Sequence, residues 1–358
     1  MSVSDPAVEA GHIVFERRGA LALVRLSRPE ALNAVTHDMI RSLARRLDEW
    51  AADDGVEAVA VTAEGKAFSA GGDIRALYER IVAGDPPDDF FADEYALNIA
   101  IKRFPKPYVA LIDGLAMGGG VGVSYHGSHV VVGEGARFAM PECGIGFFPD
   151  VGGSHMLSRL DGGVGLYLGL TGERIGPDAQ VALGLAHTLV PSRLFGDVLD
   201  DLADGRPADD AVAAREAEPG AGAAALLELS APLAGCDADG AHALLEDGTG
   251  RDASGRSADP IRERVAGKCP VSLAVAVRQI AAGRDLDFEA AMGMEARIVH
   301  AMLRRPDFAE GVRAAVIDKD RAPRWRPAQL GDVDKGIVDT HFAPVSNGPL
   351  AALSERGP

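Results

Sequence analysis

The stretch from Lys106 to Gly153, KPYVALIDGLAMGGGVGVSYHGSHVVVGEGARFAMPECGIGFFPDVGG, constrains the fold of this chain more than any other. An apolar strand, Tyr108 to Ile112, ends at Asp113-Gly114; Gly118, Gly119 and Gly120 follow, and the run Gly119 to His126 reads as a helix. Three consecutive glycines cost conformational entropy and serve where the backbone must approach something that a side chain would block. At the start of a helix they also leave N–H groups facing outward with partial positive charge. Backbone donors of that kind can meet an oxygen that gains negative charge, although tight packing of helix on strand accounts for such a turn equally well. A second turn, GKAFSAGGD from Gly65 to Asp73, follows the strand-like EAVAVTA, and IRALYERI after it reads as a helix capped by Asp73. Two such turns could each give one amide to a shared oxygen.

The remaining pattern alternates strands and helices. His12 to Leu26 reads as a hairpin turning at Arg18-Gly19, and Thr36 caps a helix running to about Ala52, with Ile40, Leu43, Leu47 and Trp50 on one face. Glu57 to Ala63 and His129 to Gly133 read as strands, and Phe90 to Phe104 as a helix stopped by Pro105 and Pro107. From Gly162 to about Leu202 the pattern is helical, with a short strand at His187 to Val190. Asp204 to Pro260 is rich in Ala, Gly and Asp, and AEPGAGAAA and EDGTGRDASGRSADP read as loops or a poorly ordered insertion between short helices. Pro270 to Gly283 and Asp287 to Arg305 read as amphipathic helices, and the residues after Gly331 as a loose tail. The expected division is a core over 1–205 carrying the site, a helical region over 206–330 and a tail over 331–358. Parallel crossover units follow from the alternation, and the absence of GxGxxG after a strand disfavours a dinucleotide-binding sheet.

Composition narrows the class. A chain of 358 residues with 47% hydrophobic residues can bury a large core, and a formal charge of −17 disfavours nucleic acid and anionic membrane surfaces. No run of about 20 apolar residues occurs, so nothing reads as a membrane span. MSVSDPAVEAGH shows neither a secretory nor a transit signal. Cys143, Cys236 and Cys269 are few and widely spaced, which suits a reduced, cytoplasmic setting.

The order AFSAGGDI, a GGG turn, MPE and a second glycine pair resembles the enoyl-CoA hydratase/isomerase (crotonase) superfamily, and within it the 3-hydroxyisobutyryl-CoA hydrolase family. The resemblance extends from about Ile13 to Arg326; its most specific pieces are YVALIDGLAMGGGVGVSYHG, FAMPECGIGFFPDVGG and FAEGVRAAVIDKDRAPRW. It implies an α/β fold, a spiral of repeated ββα units with a mainly helical C-terminal region. It also implies an oxyanion hole formed by the N–H groups of Gly72 and Gly119, holding a thioester oxygen of an acyl-CoA substrate. Hydratases of the superfamily carry one glutamate two residues after the glycine triplet and another in a PE turn. Here the second is Glu142, but the first position is Gly122, and Asp150 stands in FFPDVGG, as in the hydrolase pattern.

The resemblance therefore implies hydrolysis of a short 3-hydroxyacyl-CoA, most specifically 3-hydroxyisobutyryl-CoA in valine breakdown. Glu142 would activate water or attack the carbonyl, and Asp150 would orient the 3-hydroxyl or assist the leaving thiolate. Glu94, in FADEYALN, matches a substrate-contacting acidic position, so the substrate-binding set is Glu94, Gly119, Glu142 and Asp150. Arg28 and Lys66 flank the glycine turns and are candidates for the CoA phosphates, with Lys319 a weaker one. Neither cofactor nor metal is expected, coenzyme A being part of the substrate, and a homo-oligomer is allowed.

Two rivals remain: a hydratase or isomerase using Glu142 alone, and a non-catalytic acyl-CoA binding protein. GVSYH and GGSHM fall short of the G-x-S-x-G nucleophile elbow. His126 and His129 form an H-x-x-H pair without a third ligand nearby in sequence, Cys143 has no histidine placed to activate it, and no P-loop occurs.

Overall fold

The computed structural model describes residues 4–220, 222–246, 251–252 and 254–356. Among the described residues ten strands run in chain order: β1 (Ser4–Ala10), β2 (Ile13–Arg18), β3 (Leu21–Leu26), β4 (Ala58–Ala63), β5 (Ala67–Ser69), β6 (Tyr108–Ile112), β7 (Leu115–Met117), β8 (His129–Val132), β9 (Arg137–Ala139) and β10 (Thr188–Leu189). They make a seven-stranded sheet of order β1-β2-β3-β4-β6-β8-β10 and a three-stranded sheet of order β5-β7-β9. The first three strands pair antiparallel and the rest of the large sheet is parallel.

The repeat is legible in the order of elements. β4 and β5 precede the helix Ile74–Val82, β6 and β7 precede the short helix Gly119–Gly122, and β8 and β9 precede the 3-10 turn Glu142–Ile145. Each time the first strand joins the large sheet and the second joins the small one. That is the expected spiral of ββα units.

Two compact units emerge from the contacts: Met1–Gly72, Ala96–Ala139 and Arg174–Ala223 form the first, and Asp73–Tyr95, Met140–Glu173 and Ala224–Pro358 the second. They interleave along the chain, so they do not follow the expected cuts after 205 and 330. The first unit holds both sheets. β6 is buried at every residue, and β4 from Ala58 to Val61, as continuous apolar runs in parallel sheets require. Leu21, Leu23, Ala60, Val109, Leu111 and Val131 pack with Val198 and Leu202 of the helix Phe195–Ala203.

The second unit is helical. Pro270–Gly283 and Phe288–Met302 are helices as expected, but they are not amphipathic: Val271, Ser272, Val275 and Ala276 of the first are all fully buried, and so are Ala291, Met292, Ala296 and Ile298 of the second. Small residues admit neighbours on several sides; a Cβ on Gly293 would stand 1.8 Å from the Arg356 carbonyl oxygen. That same contact corrects the loose tail. Lys335–His341 and Ala351–Ser354 are helices, and His341, Leu350 and Ser354 are buried.

Other differences are local. The helix expected over Gly119 to His126 stops at Gly122, and β1 and the three-residue strands of the small sheet were not anticipated. Between Asp204 and Pro260, short helices at Ala208–Ala213, Ala224–Ser230 and Ala238–Glu246 alternate with loops, and Asp259–Val265 follows. Within the stretches expected to be loops, Ala221, residues 247–250 and Ala253 lie outside the described residues. Among the described residues no helix is long and apolar enough to cross a membrane.

Gly114 joins β6 to β7 at φ +82°, and a Cβ there would stand 2.4 Å from the Lys66 carbonyl oxygen. Gly11 has φ +66° with open space around it. Gly114→Ala should therefore cost about 2–3 kcal/mol in urea unfolding and Gly11→Ala only about 1 kcal/mol, because strain acts alone at the second site and a backbone clash is added at the first.

Candidate active site

The first unit carries the two glycine turns. Gly71 adopts φ +105°, and a Cβ on it would lie 3.4 Å from the Met117 carbonyl oxygen and 3.8 Å from the Gly119 nitrogen. Gly118, at φ +49°, opens the short helix Gly119–Gly122. A Cβ on Gly120 would stand 2.6 Å from the Ser69 carbonyl oxygen. The glycines are thus what lets the AFSAGGD and GGG turns touch. Val35 N–H takes the Gly71 carbonyl and pairs its strand position with Gly72. Among the described residues, neither the Gly72 nor the Gly119 N–H donates to a protein acceptor.

Arg28 and Lys66 lie on turns that meet through a residue the sequence did not single out. Asn33, fully buried at φ +54°, accepts from the Arg28 N–H at 2.7 Å and donates from Nδ2 to the carbonyls of Glu64 at 2.7 Å and Ala67 at 2.9 Å. Arg28 also reaches the Ala34 carbonyl at 3.2 Å, and Lys66 is exposed. His129 is held by Asp209 at 3.0 Å, and among the described residues no group of three or more His, Cys, Asp or Glu could hold a metal ion.

The second unit carries the acids. Glu94 comes from the helix Asp88–Lys102, Glu142 opens the turn Glu142–Ile145, and Asp150 lies just before the helix Gly153–Leu157. They are 2%, 5% and 4% exposed, far below what unpaired carboxylates tolerate. Glu142 is fixed by the sharp turn behind it. Gly146 has φ +73°, and a Cβ on it would lie 2.2 Å from the Asp307 carbonyl oxygen. Cys269 N–H also donates to the Cys143 carbonyl at 3.0 Å. Phe147 stacks on Phe91 and packs on Phe308, giving this region apolar walls.

Burial dominates the protonation of all three acids. It raises Glu94 and Glu142 to about 8; for Glu142 its own backbone N–H and Lys268 pull down, and Glu295 pushes up. Asp150 is raised well above the usual range by burial and by the charges of Glu94, Glu142 and Glu295, against the donated bond from the Tyr95 hydroxyl at 3.1 Å. Glu94 Oε1 and Glu142 Oε2 are buried with no hydrogen-bond partner among the described residues. Such atoms are costly unless something else meets them. The buried thiol of Cys143 is pushed upward, away from the thiolate a nucleophile needs. Lys319 stands exposed in the second unit at φ +58°.

Glu295 was missed. It is fully buried in the helix Phe288–Met302 and raised to about 7 by burial, with bonds from Ser154 and Gly152 pulling down. A signal existed: Ala291, Glu295, Ile298 and Met302 share one helical face, and an acid on an otherwise apolar face asks for a partner.

Comparison with known proteins adds four likenesses. The family model described as Enoyl-CoA hydratase/isomerase matches residues 21–342. A protein of Danio rerio named 3-hydroxyisobutyryl-CoA hydrolase, mitochondrial, is 39% identical over 351 residues, covering 92% of this chain and 89% of that one. Two solved structures each share 36% identity at a TM-score of 0.84: a carnitinyl-CoA dehydratase from Mycobacterium thermoresistibile, covering 94% of this chain and 97% of that one, and an enoyl-CoA hydratase from Rhodobacter sphaeroides 2.4.1, covering 94% and 98%.

The buried acids set a pH dependence of stability. A carboxyl raised to about 8 when folded, against an unfolded value near 4.5, favours the native state fully below pH 4.5, and that contribution is lost as pH rises to about 8. Glu142→Gln and Glu94→Gln remove the titrating group. Each variant should unfold at higher urea than the unsubstituted protein at pH 8, with the difference shrinking toward pH 5. Equal urea midpoints at pH 8 would contradict the assigned protonation.

Proposed function

The chain belongs to the enoyl-CoA hydratase/isomerase family, and on that premise we propose that it hydrolyses the thioester of a short 3-hydroxyacyl-CoA, with 3-hydroxyisobutyryl-CoA the best candidate. The observation that carries this reading is the pair Glu142 and Asp150: two enclosed acids in one unit, one with a bare oxygen and a proton affinity near neutrality, the other held protonated. Hydrolysis needs a base and an acid with separated affinities. Ionised Glu142 takes a proton from water as the water oxygen bonds to the carbonyl carbon. By the family resemblance, the amides of Gly72 and Gly119 would receive the developing oxyanion. The carbon–sulfur bond then breaks, and neutral Asp150 gives its proton to the thiolate. Glu94, with Oε1 bare, is suited to meet the 3-hydroxyl of the substrate.

The dehydratase and hydratase names of the two solved relatives favour the rival reaction, but water addition by the two-glutamate route has no second acid here. Gly122 occupies that position, enclosed in the Gly119–Gly122 helix. Relatives named 3-hydroxyisobutyryl-CoA hydrolase support the hydrolase reading. For location we propose a reducing compartment such as the cytoplasm, a reading that three free cysteines support.

A panel of acyl-CoA thioesters assayed for free thiol tests the reaction. Thiol release from 3-hydroxyisobutyryl-CoA is expected, with kcat/KM rising with pH through an apparent pKa near 8 as Glu142 ionises. Glu142→Gln should lower kcat by about 100-fold or more. Loss of enoyl absorbance without thiol release would establish the hydratase instead, and tight CoA binding without turnover a binding protein. Single turnover in oxygen-18 water places label in Glu142 only if the carboxylate itself attacks.

A further inference from the structure

We propose that Glu295 is a positioning residue for Asp150: together with Gln279 it clamps the turn from Pro149 to Ser154 on both sides of the acid and so fixes where the Asp150 carboxyl sits. This rests on the reading of Asp150 as the acid of the hydrolase.

Both carboxylate oxygens of Glu295 are spent on that turn. Oε2 accepts from the Gly152 N–H at 2.8 Å, and Oε1 accepts from the Ser154 N–H at 2.9 Å and the Ser154 hydroxyl at 2.5 Å. From the Pro270–Gly283 helix, Gln279 Nε2 donates to the Pro149 carbonyl and, at 3.1 Å, to Ser154 Oγ. Asp150 therefore lies between two tethered points, one residue after the Pro149 carbonyl and two before the Gly152 amide.

The turn needs tethering. Val151 stands at φ +49°, a costly conformation for a β-branched residue that persists only where its surroundings over-determine it. Ser154 is also pressed from behind, since a Cβ on Gly283 would lie 2.2 Å from its carbonyl oxygen. The held geometry presents Asp150 Oδ2 to the Tyr95 hydroxyl. A carboxylate suits the clamp because its three partners are all donors; a glutamine would turn an NH₂ group toward at least one of them.

Glu295→Gln tests the clamp in two independent ways. In the thiol-release assay kcat should fall about 10- to 100-fold with KM little changed, the scale of a misplaced catalytic group. On an Asp150→Asn background the same substitution should cost nothing further in kcat, because the two act through one group. A merely structural residue would lower the melting temperature in both backgrounds without that loss of additivity. The crystal structure of the variant reads the clamp without turnover: Asp150 is expected to leave hydrogen-bond reach of Tyr95. Ser154→Ala, which removes one of the three donors and leaves the helix intact, carries both measurements in a milder form should Glu295→Gln not fold. Full kcat in a folded variant, multiplying losses in the double variant, or an Asp150–Tyr95 bond still at 3.1 Å would each overturn the proposal. If the unsubstituted protein releases no thiol, the hydrolase reading fails on its own, and the crystal structure still decides the clamp.

Discussion

An ionised carboxylate taken out of water costs several kcal/mol unless something pairs with it, and the second unit of this chain encloses a group of carboxyls without giving them that partner. The contrast with Asp307 is instructive. Asp307 is 1% exposed, yet it accepts from Arg305 through both Nε and Nη2, at 3.1 and 3.0 Å, and from the Arg326 N–H at 2.9 Å. That is a buried acid used as structure, neutralised and saturated. Glu94 and Glu142 keep bare oxygens, and the cation acting on Glu142 is Lys268, which only partly offsets the effect of burial. A protein gains no stability from such an arrangement. Acids perturbed in this way mark a candidate site of proton transfer near neutral pH.

That requirement shapes the backbone around them. Acids with no arginine to hold them depend on the main chain for their direction, so the turns that carry them are tightly determined. Gly146 seats the Glu142 turn against the Asp307 carbonyl, and Val151 accepts an unfavourable φ beside Asp150. The first unit solves a matching problem with glycine alone. An oxyanion hole needs two amides that face no protein acceptor, and that is possible only where turns approach closely enough to leave no room for side chains. Gly71 and Gly120 lie at such close approaches within the unit.

How much of this could be read from residues depended on the range of the interaction. Strands β4 and β6, the helix caps at Thr36 and Asp73 and the glycine turns all follow from neighbours in sequence, and the structure has them where the pattern put them. The spiral itself came from resemblance, since periodicity does not say which sheet a three-residue strand such as Ala67–Ser69 joins. The C-terminal helices were misjudged because alanine and glycine look like solvent-facing spacers, whereas here they let neighbours approach closely. Among the candidate site residues, Glu142 and Asp150 sit in the local motifs that carry the resemblance. Glu295 acts from 141 residues beyond Ser154, and only its place on an apolar helical face hinted at it.

An oxyanion hole of the kind the resemblance implies can serve several reactions, because charge gathers on a thioester oxygen whether water attacks the carbonyl or a proton leaves the α-carbon. What separates them is where acids stand. Position 122 is a glycine without a side chain, and FFPDVGG carries Asp150, whose proton is held by burial and by neighbouring negative charge. Under the proposed reaction, an acid at position 150 rather than 122 serves a leaving sulfur rather than a carbon–carbon double bond. The overall charge of −17 fits that emphasis. It gives no long-range attraction to an anionic coenzyme, so under the proposed function binding rests on local contacts.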